Sequence, residues 1–369
     1  MEWATGWSEI LHYALHHDGP DVSLLGTTWV GPLCGMQALR PFSEPERLLF
    51  GGSETYLASA WEAGRMGQSL WAIPWQVDAR IWFYWRPALL QAGINEETAF
   101  ASYDQIERTV AALTDSGQTA VVGPTTVSLN TLHCLASWVW SLGGEFLSPG
   151  GECILFDQPE ALAAIERFYD LHRGLATSSL ANACRAGLPE GDADQVFLNR
   201  RAAVIQSGPW IVDKVTVLGA TALDDLGIAA YPGVPYNGGN SLVIWRRSLD
   251  EQAALDLVRS LSAPEIQRQL GGLRGQLPTR LDVLSELSRH GDRFARALSQ
   301  GVLRGRALPT HSLWSVVEER LTRTLGGLWR SVLDPKTENY RDTIRADLIR
   351  LAAQLNATLG HGGLPRALA

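Results

Sequence analysis

The chain has 369 residues, 46% of them hydrophobic and 19% charged, so it is long enough for two ordinary domains and apolar enough to build cores. Its 31 Lys and Arg against 39 Asp and Glu leave a formal charge of −8, and no run of like charges forms a basic patch, which disfavours nucleic acid and anionic membrane surfaces as partners. Tryptophan is in surplus, 14 against 9 Phe and 8 Tyr, and Trp suits places where an apolar face must meet a polar ligand.

Four cysteines, Cys34, Cys134, Cys153 and Cys184, are widely spaced, with no CxxC and no His at zinc-ligand spacing. They read as buried small hydrophobes, and neither a metal site nor a cofactor is expected. No run approaches the ~18 consecutive apolar residues of a membrane helix. The opening MEWATGWSEI has neither the basic nor the apolar region of an export signal.

In chain order, a helical stretch from Trp7 to His17 leads through a Gly-Pro turn into a short strand at Val22–Leu25, with Trp29 at the strand exit. A second helical stretch carries Tyr56, Leu57 and Trp61. SLWAIPWQVDARIWFYW reads as strand interrupted by Pro74, and ALLQAGI as a helix closed by Gly93. Helices follow at 103–113 and 131–142, with a short strand TAVVGPT between them and a Gly-punctuated hairpin or loop after the second.

PEALAAIERFYDLHR carries apolar residues at helical spacing. VFLNRRAAVIQSGPW reads as helix, basic turn, strand Ala202–Gln206 and a Gly-Pro-Trp corner. A strand LGIAA, a loop YPGVPYNGGN and a strand SLVIW come next. A helix begins near Asp250, Ser262 and Glu265 fit a capping box, and the chain from about 309 onward is helical, with Leu348, Leu351, Leu355 and Leu359 on one face. Strands alternating with helices predict an α/β protein with mainly parallel sheets.

Several segments fall into a telling order: PDV to GTTW (20–29), IPWQVDAR (73–80), AGI (92–94), SWVWSLGG (137–144), F-x-x-R-R-A-A-V-I-x-S-G-P-W (197–210), YPG to GGNSLVIWRRS (231–248), LPTR (277–280) and a late PTHSLW segment. Together they resemble the family 1 extracellular solute-binding proteins, the sugar receptors of bacterial ABC importers, similar to maltose- and glucose-binding proteins.

The resemblance implies a two-lobe, type II periplasmic-binding-protein-like α/β fold that closes on a ligand by hinge motion. It puts lobe I at 1–84 and 243–304 and lobe II at 85–242 and 305–369, with the ligand cleft between them. It also implies a monomer, located outside the cytoplasm in the periplasm or as an anchored lipoprotein, that hands its ligand to membrane permease subunits. The family's first strand of lobe I and its export signal have no counterpart here, so a truncated or wrongly started reading frame, with lobe I lacking its first strand, is expected.

Sugars present flat C–H faces ringed by hydroxyls, and a sugar site needs aromatic plates together with directional hydrogen-bonding groups. Trp210, at the Gly208–Pro209 corner, is the leading candidate plate. Trp29 matches a family position that faces the cleft, with core packing at the strand exit as the lesser alternative, and Trp314 is similar to a third family aromatic but reads equally as core. Trp75, at the Pro74 corner, joins them.

Asp78 and Arg80 are two apart, so on one extended strand they share a face, where a carboxylate accepts from hydroxyls and a guanidinium donates two bonds. An ordinary ion pair is the alternative. Gly239 and Asn240, beside Gly238, offer backbone N–H groups and an amide where a loop touches ligand or acts as hinge. His133 reads as a structural histidine, and Arg274 either reaches the cleft or lies on the surface.

A glycoside hydrolase needs two carboxylates ~5–5.5 Å or ~6.5–9.5 Å apart, and Asp78 has no evident partner in the sequence. No nucleophile-elbow, zinc-protease or phosphate-loop motif is present, so no catalytic residue is expected. A receptor for a glycerol phosphate, polyamine or peptide is the other alternative; a phosphate ligand would call for more Arg or Lys than Arg80 and Arg274.

Overall fold

The computed structural model describes residues 3–16, 18–273 and 275–361. Along the chain its strands are β1 (Val22–Gly26), β2 (Arg65–Met66), β3 (Ser69–Leu70), β4 (Ile73–Ala79), β5 (Ile81–Trp85), β6 (Val121–Val122), β7 (Val204–Ser207), β8 (Leu226–Ala229), β9 (Asn237–Ile244) and β10 (Leu277–Pro278). The chain divides into two compact units. Unit 1 comprises Met1–Ala79, Gly208–Asp213 and Tyr236–Ser315; unit 2 comprises Arg80–Ser207, Lys214–Pro235 and Val316–Ala369. The first crossing thus falls at Ala79/Arg80 rather than after residue 84, because β5 pairs with β7 and β8 of unit 2.

In unit 1 the strand order is β1-β9-β4-β10. Every neighbouring pair runs antiparallel. The expected parallel pairing is therefore corrected: among the strands of the described residues only β6 and β7 pair in parallel, with one isolated parallel bridge between Tyr236 and Arg306. Parallel neighbours arise where a helical crossover returns the chain to the same end of a sheet. Strand β9 lies between β1 and β4, and β5 between β7 and β8, and each opposes both neighbours, an arrangement that alternation of elements along the chain does not encode.

Both faces of this sheet are covered. Leu25 and Val243 point toward the helices Trp3–His16 and Thr27–Gly35, packing with Ile10, Ala14, Val30 and Leu33. Ile73, Leu242 and Ile244 point the other way, against Leu255 and Val258 of the helix Glu251–Leu261 and against Tyr56 and Trp61. Each fully buried aliphatic side chain contributes roughly 1.5–3 kcal/mol relative to exposure.

Two turns of sequence logic resolve differently in space. Pro74 does not interrupt the strand; the break comes at Arg80, between β4 and β5, and Pro74 sits inside β4 just before an irregularity. There Pro74 pairs with Ser241 and Gln76 with Asn240, so Trp75 is the extra residue of a β-bulge. Ser262 does not cap the next helix. Its hydroxyl donates to Val258 O at 2.7 Å, and the helix Pro264–Gly271 starts from Ala263 with no side-chain cap. Asp250 does cap its helix, accepting from the Ala253 N–H at 3.0 Å.

Unit 2 is built on a sheet ordered β6-β7-β5-β8. All five residues of β5, IWFYW, are buried, as a central strand covered on both faces requires. Trp85 stacks on Phe197 with ring centroids 5.0 Å apart and donates its indole N–H to Phe197 O at 2.8 Å. The helix Tyr340–His361 is tied to Pro159–His172 by Arg341 with Asp170 and by Arg345 with Glu166, while Leu348, Leu351, Leu355 and Leu359 are buried as their spacing predicts. Of the cysteines, Cys34, Cys134 and Cys184 are buried, but Cys153 is exposed, contrary to expectation, because it sits in the turn closed by the Leu147–Ile154 bridge.

Candidate functional site

Past the bulge, β4 turns Gln76 and Asp78 to the same face of the unit 1 sheet as Asn240, with Val77 and Ala79 buried on the other. The Asn240 amide donates to Gln76 Oε1 at 3.1 Å, and the Gln76 amide donates in turn to Gln276 Oε1. A row of three half-buried amides results, all oriented one way. It ends in a donor, the Gln276 NH2, and an acceptor, the Asn240 oxygen, both suited to hydroxyl groups.

Asp78 continues the row opposite Gly238. Tyr236 fills the space that a side chain at Gly238 would need: a Cβ there would lie 2.3 Å from the Tyr236 hydroxyl oxygen. A phenol and a carboxylate thus neighbour the amides on one face.

The Gly-Pro-Trp corner belongs to the same unit. The half-buried Trp210 indole lies directly over Gly208, where a Cβ would be 1.9 Å from ring atom Cζ3. This corner rests on the turn that precedes Gln276. A Cβ at Gly275 would lie 2.7 Å from Pro209 O and 2.8 Å from an Asp213 carboxylate oxygen. An aromatic plate is therefore anchored on the turn that leads into the amide row.

Unit 1 thus brings together Trp210, Asp78 and Asn240 from the sequence-derived set and adds Gln76, Gln276 and Tyr236. Gln76 could have been found from its two-residue spacing to Asp78 on a strand. Gln276, joined to Gln76 across 200 residues, carries no local signal.

The other candidates are placed elsewhere. Trp29 is not at a strand exit but inside the helix Thr27–Gly35, 8% exposed, its ring 5.6 Å from that of Trp7. Trp75, as the bulge residue, donates its indole N–H to Leu261 O at 3.1 Å and packs against the core of unit 1. Trp314 opens the helix Trp314–Val332 and is fully buried. Gly239 and Asn240 do not lie in a loop; they are strand residues of β9 paired with β4, because the ladder extends through the Asn-Gly-Gly-Asn run.

Arg80 does not share a strand face with Asp78, since β4 ends at Ala79 and Arg80 belongs to unit 2. It is 4% exposed, and its Nη2 lies 2.9 Å from His133 Nδ1. Burial and the adjacent guanidinium hold the His133 pKa well below its ordinary value, so the neutral ring accepts the Arg80 N–H at Nδ1 and carries its proton on Nε2. Arg274 lies outside the described residues.

Among the described residues no group of three or more His, Cys, Asp or Glu is placed to hold a metal ion, and no helix is long and apolar enough to cross a membrane.

Residues 1–294 match the family described as bacterial extracellular solute-binding protein. No curated protein matches the sequence. Among solved structures, the fold is similar to an ABC transporter solute-binding protein from Thermotoga lettingae bound with α-D-tagatose, with TM-score 0.79, 19% identity, and 97% of this chain and 90% of that one covered. It is also similar to the sugar-binding protein MalE of Xanthomonas citri, with TM-score 0.79, 20% identity and coverage of 98% and 91%. UgpB of Mycobacterium tuberculosis, in complex with glycerophosphocholine, gives TM-score 0.77, 18% identity and coverage of 97% and 89%. With these two-lobe relatives in fold and a family match over most of its length, the chain belongs to the bacterial extracellular solute-binding proteins.

Proposed function

We propose that this protein is the sugar receptor of an ABC importer: a non-catalytic, extracytoplasmic monomer that binds a mono- or oligosaccharide and delivers it to membrane permease subunits. One observation carries the reading. Trp210 is anchored on the turn leading into Gln276, and the row Gln276–Gln76–Asn240 with Asp78 offers neutral donors and acceptors plus one carboxylate. Stacking on an indole and hydrogen bonding to amides is the chemistry by which a polyhydroxylated ring is held.

The fold relatives support it, since the solved structures include proteins bound with tagatose, maltose and acarbose. One relative holds glycerophosphocholine, which makes a phosphodiester the second reading. A phosphodiester is disfavoured by the row itself, whose only formal charge is the negative Asp78.

A thermal-shift panel of mono-, di- and oligosaccharides, glycerophosphocholine and polyamines tests the proposal. Stabilisation by one sugar class, lost in Trp210→Ala, is the expected result. Stabilisation by glycerophosphocholine alone would replace the sugar reading, and release of sugar from an aryl glycoside by the purified protein would replace the receptor reading.

A further inference from the structure

Three of the eight histidines fall together at 12, 16 and 17, and two of them, His12 and His16, stand four apart on the helix Trp3–His16. Four residues make about one helical turn, so these two share a face. Their rings lie 4.3 Å apart with planes 40° from one another. Ile10 and Ala14 of the same helix pack into the core of unit 1, which fixes the helix and leaves both histidines on its exposed side.

Charge around the pair is one-sided. Asp18 Oδ2 lies 3.4 Å from His12 Nε2, with both side chains more than half exposed. Glu9 stands three residues before His12 on the same face, where its carboxylate accepts from the Tyr13 hydroxyl at 2.7 Å. No lysine or arginine occurs before Arg40, whereas residues 1–39 hold four carboxylates.

Two imidazoles side by side on a solvated helix face gain little from burial, and their protonated forms repel. What two neutral rings offer together is a pair of nitrogen lone pairs. Borderline divalent ions such as Zn²⁺, Ni²⁺ and Cu²⁺ take such ligands, whereas Mg²⁺ and Ca²⁺ seek oxygen. Two histidines four apart on one helix face are also the pairing by which helical zinc motifs hold their ion.

We propose that His12 and His16 chelate one divalent transition-metal ion, each through one ring nitrogen, on the outer face of this helix. Because both ligands come from one helix, the second ligation step is intramolecular, and water completes the coordination. Asp18 and Glu9 strengthen binding through charge, Asp18 more so because it stands beside His12 Nε2. The site uses no residue of the amide row, so metal binding and sugar binding stand or fall apart.

The test is loading of the full chain with one equivalent of Cu²⁺, followed by electron spin-echo envelope modulation, which counts the imidazoles on copper. It is done on a Cys153→Ser background, since the exposed Cys153 thiol would compete for copper. Two imidazoles are expected with both histidines present, and one in His12→Asn or His16→Asn. Isothermal calorimetry with Ni²⁺ and Zn²⁺ is expected to show affinity weakened about tenfold or more in either variant. Asp18→Asn is expected to give a smaller loss that fades at high salt, and Mg²⁺ should not bind at the pair. Both histidines are exposed, so the variants are expected to fold, which far-UV circular dichroism checks.

Fewer than two imidazoles on copper before either histidine is replaced overturns the proposal. So does a Ni²⁺ affinity unchanged in both single variants. An equal loss in His17→Asn, at a position outside the described residues, overturns it as well, because a loose run of histidines rather than the helical pair would then hold the ion.

Discussion

Gly239 and Gln76 approach so closely across β9 and β4 that a Cβ on Gly239 would lie 2.1 Å from the Gln76 carbonyl oxygen, and Gly239 holds a φ of +127°. Both constraints exclude any L side chain, and the atom in the way is backbone rather than a movable side-chain tip. Gly239→Ala is therefore expected to destabilise the protein by ~2–3 kcal/mol, read from the midpoint and slope of urea denaturation. Because the shifted backbone is that of Gln76, the same variant should also weaken binding of whichever sugar the panel identifies.

Trp210→Ala is expected to raise the dissociation constant for that sugar tenfold or more, about 1.4 kcal/mol or greater, by isothermal calorimetry. Gln76→Ala removes the middle of the amide row, with both of its hydrogen bonds, and is expected to weaken binding by a comparable factor. Unchanged affinity in both variants would remove the unit 1 face from the binding site.

Trp314 and Trp210 should separate by phenotype. Trp314 is fully buried, so Trp314→Ala is expected to cost ~3–5 kcal/mol of stability as a large-to-small core change. Trp210→Ala, at a half-buried position, should cost less than half as much. Thermal denaturation without ligand measures both, and equal losses would place Trp210 in the core.

Acid sensitivity follows from His172 and Glu46. Burial pushes the His172 pKa down from 6.5 to about 4, and its Nδ1–H donates to Phe168 O at 2.8 Å. Between pH 6.5 and 4 the unfolded chain takes up a proton that the folded chain refuses, so stability is complete above pH 6.5 and falls as the pH drops to 4, by ~3 kcal/mol. Glu46, held by the Arg40 guanidinium and the Ser43 N–H, is lowered to about 2; its contribution is present above pH 4.5 and is lost as pH falls toward 2. Urea denaturation stepped from pH 7 to 4 should give a flatter profile for His172→Asn than for wild type.

Local physics made much of the chain readable. Helix-period apolar spacing located Pro159–His172 and the buried leucines of Tyr340–His361, and an acidic cap located the start of Glu251–Leu261. Strand direction was not readable, because β9 reaches its place between β1 and β4 from more than 150 residues downstream of β4, and nothing in SLVIW states which way it will run. Ser262 failed as a cap for a related reason: its hydroxyl had a nearer acceptor in the preceding turn, the Val258 carbonyl.

The site divides the same way. Asp78 and Asn240 carry side chains whose chemistry announces itself, and the fold gathers them with Trp210 in one unit. Tryptophans do not announce theirs: Trp29, Trp75 and Trp314 look like plates in the sequence and lie in or against the core. Gln76 and Gln276 have no meaning until a contact spanning 200 residues joins them.

The supernumerary Trp75 acts as a phase shift in β4. Ile73, upstream of it, and Gln76 and Asp78, downstream, occupy one side of the sheet although strict alternation would set them on opposite sides. One strand is thereby cut into two independently tunable halves, a greasy one that mutation can adjust for packing and a polar one that it can adjust for ligand. Substitutions that retune the second half for a different ligand need not disturb the packing of the first.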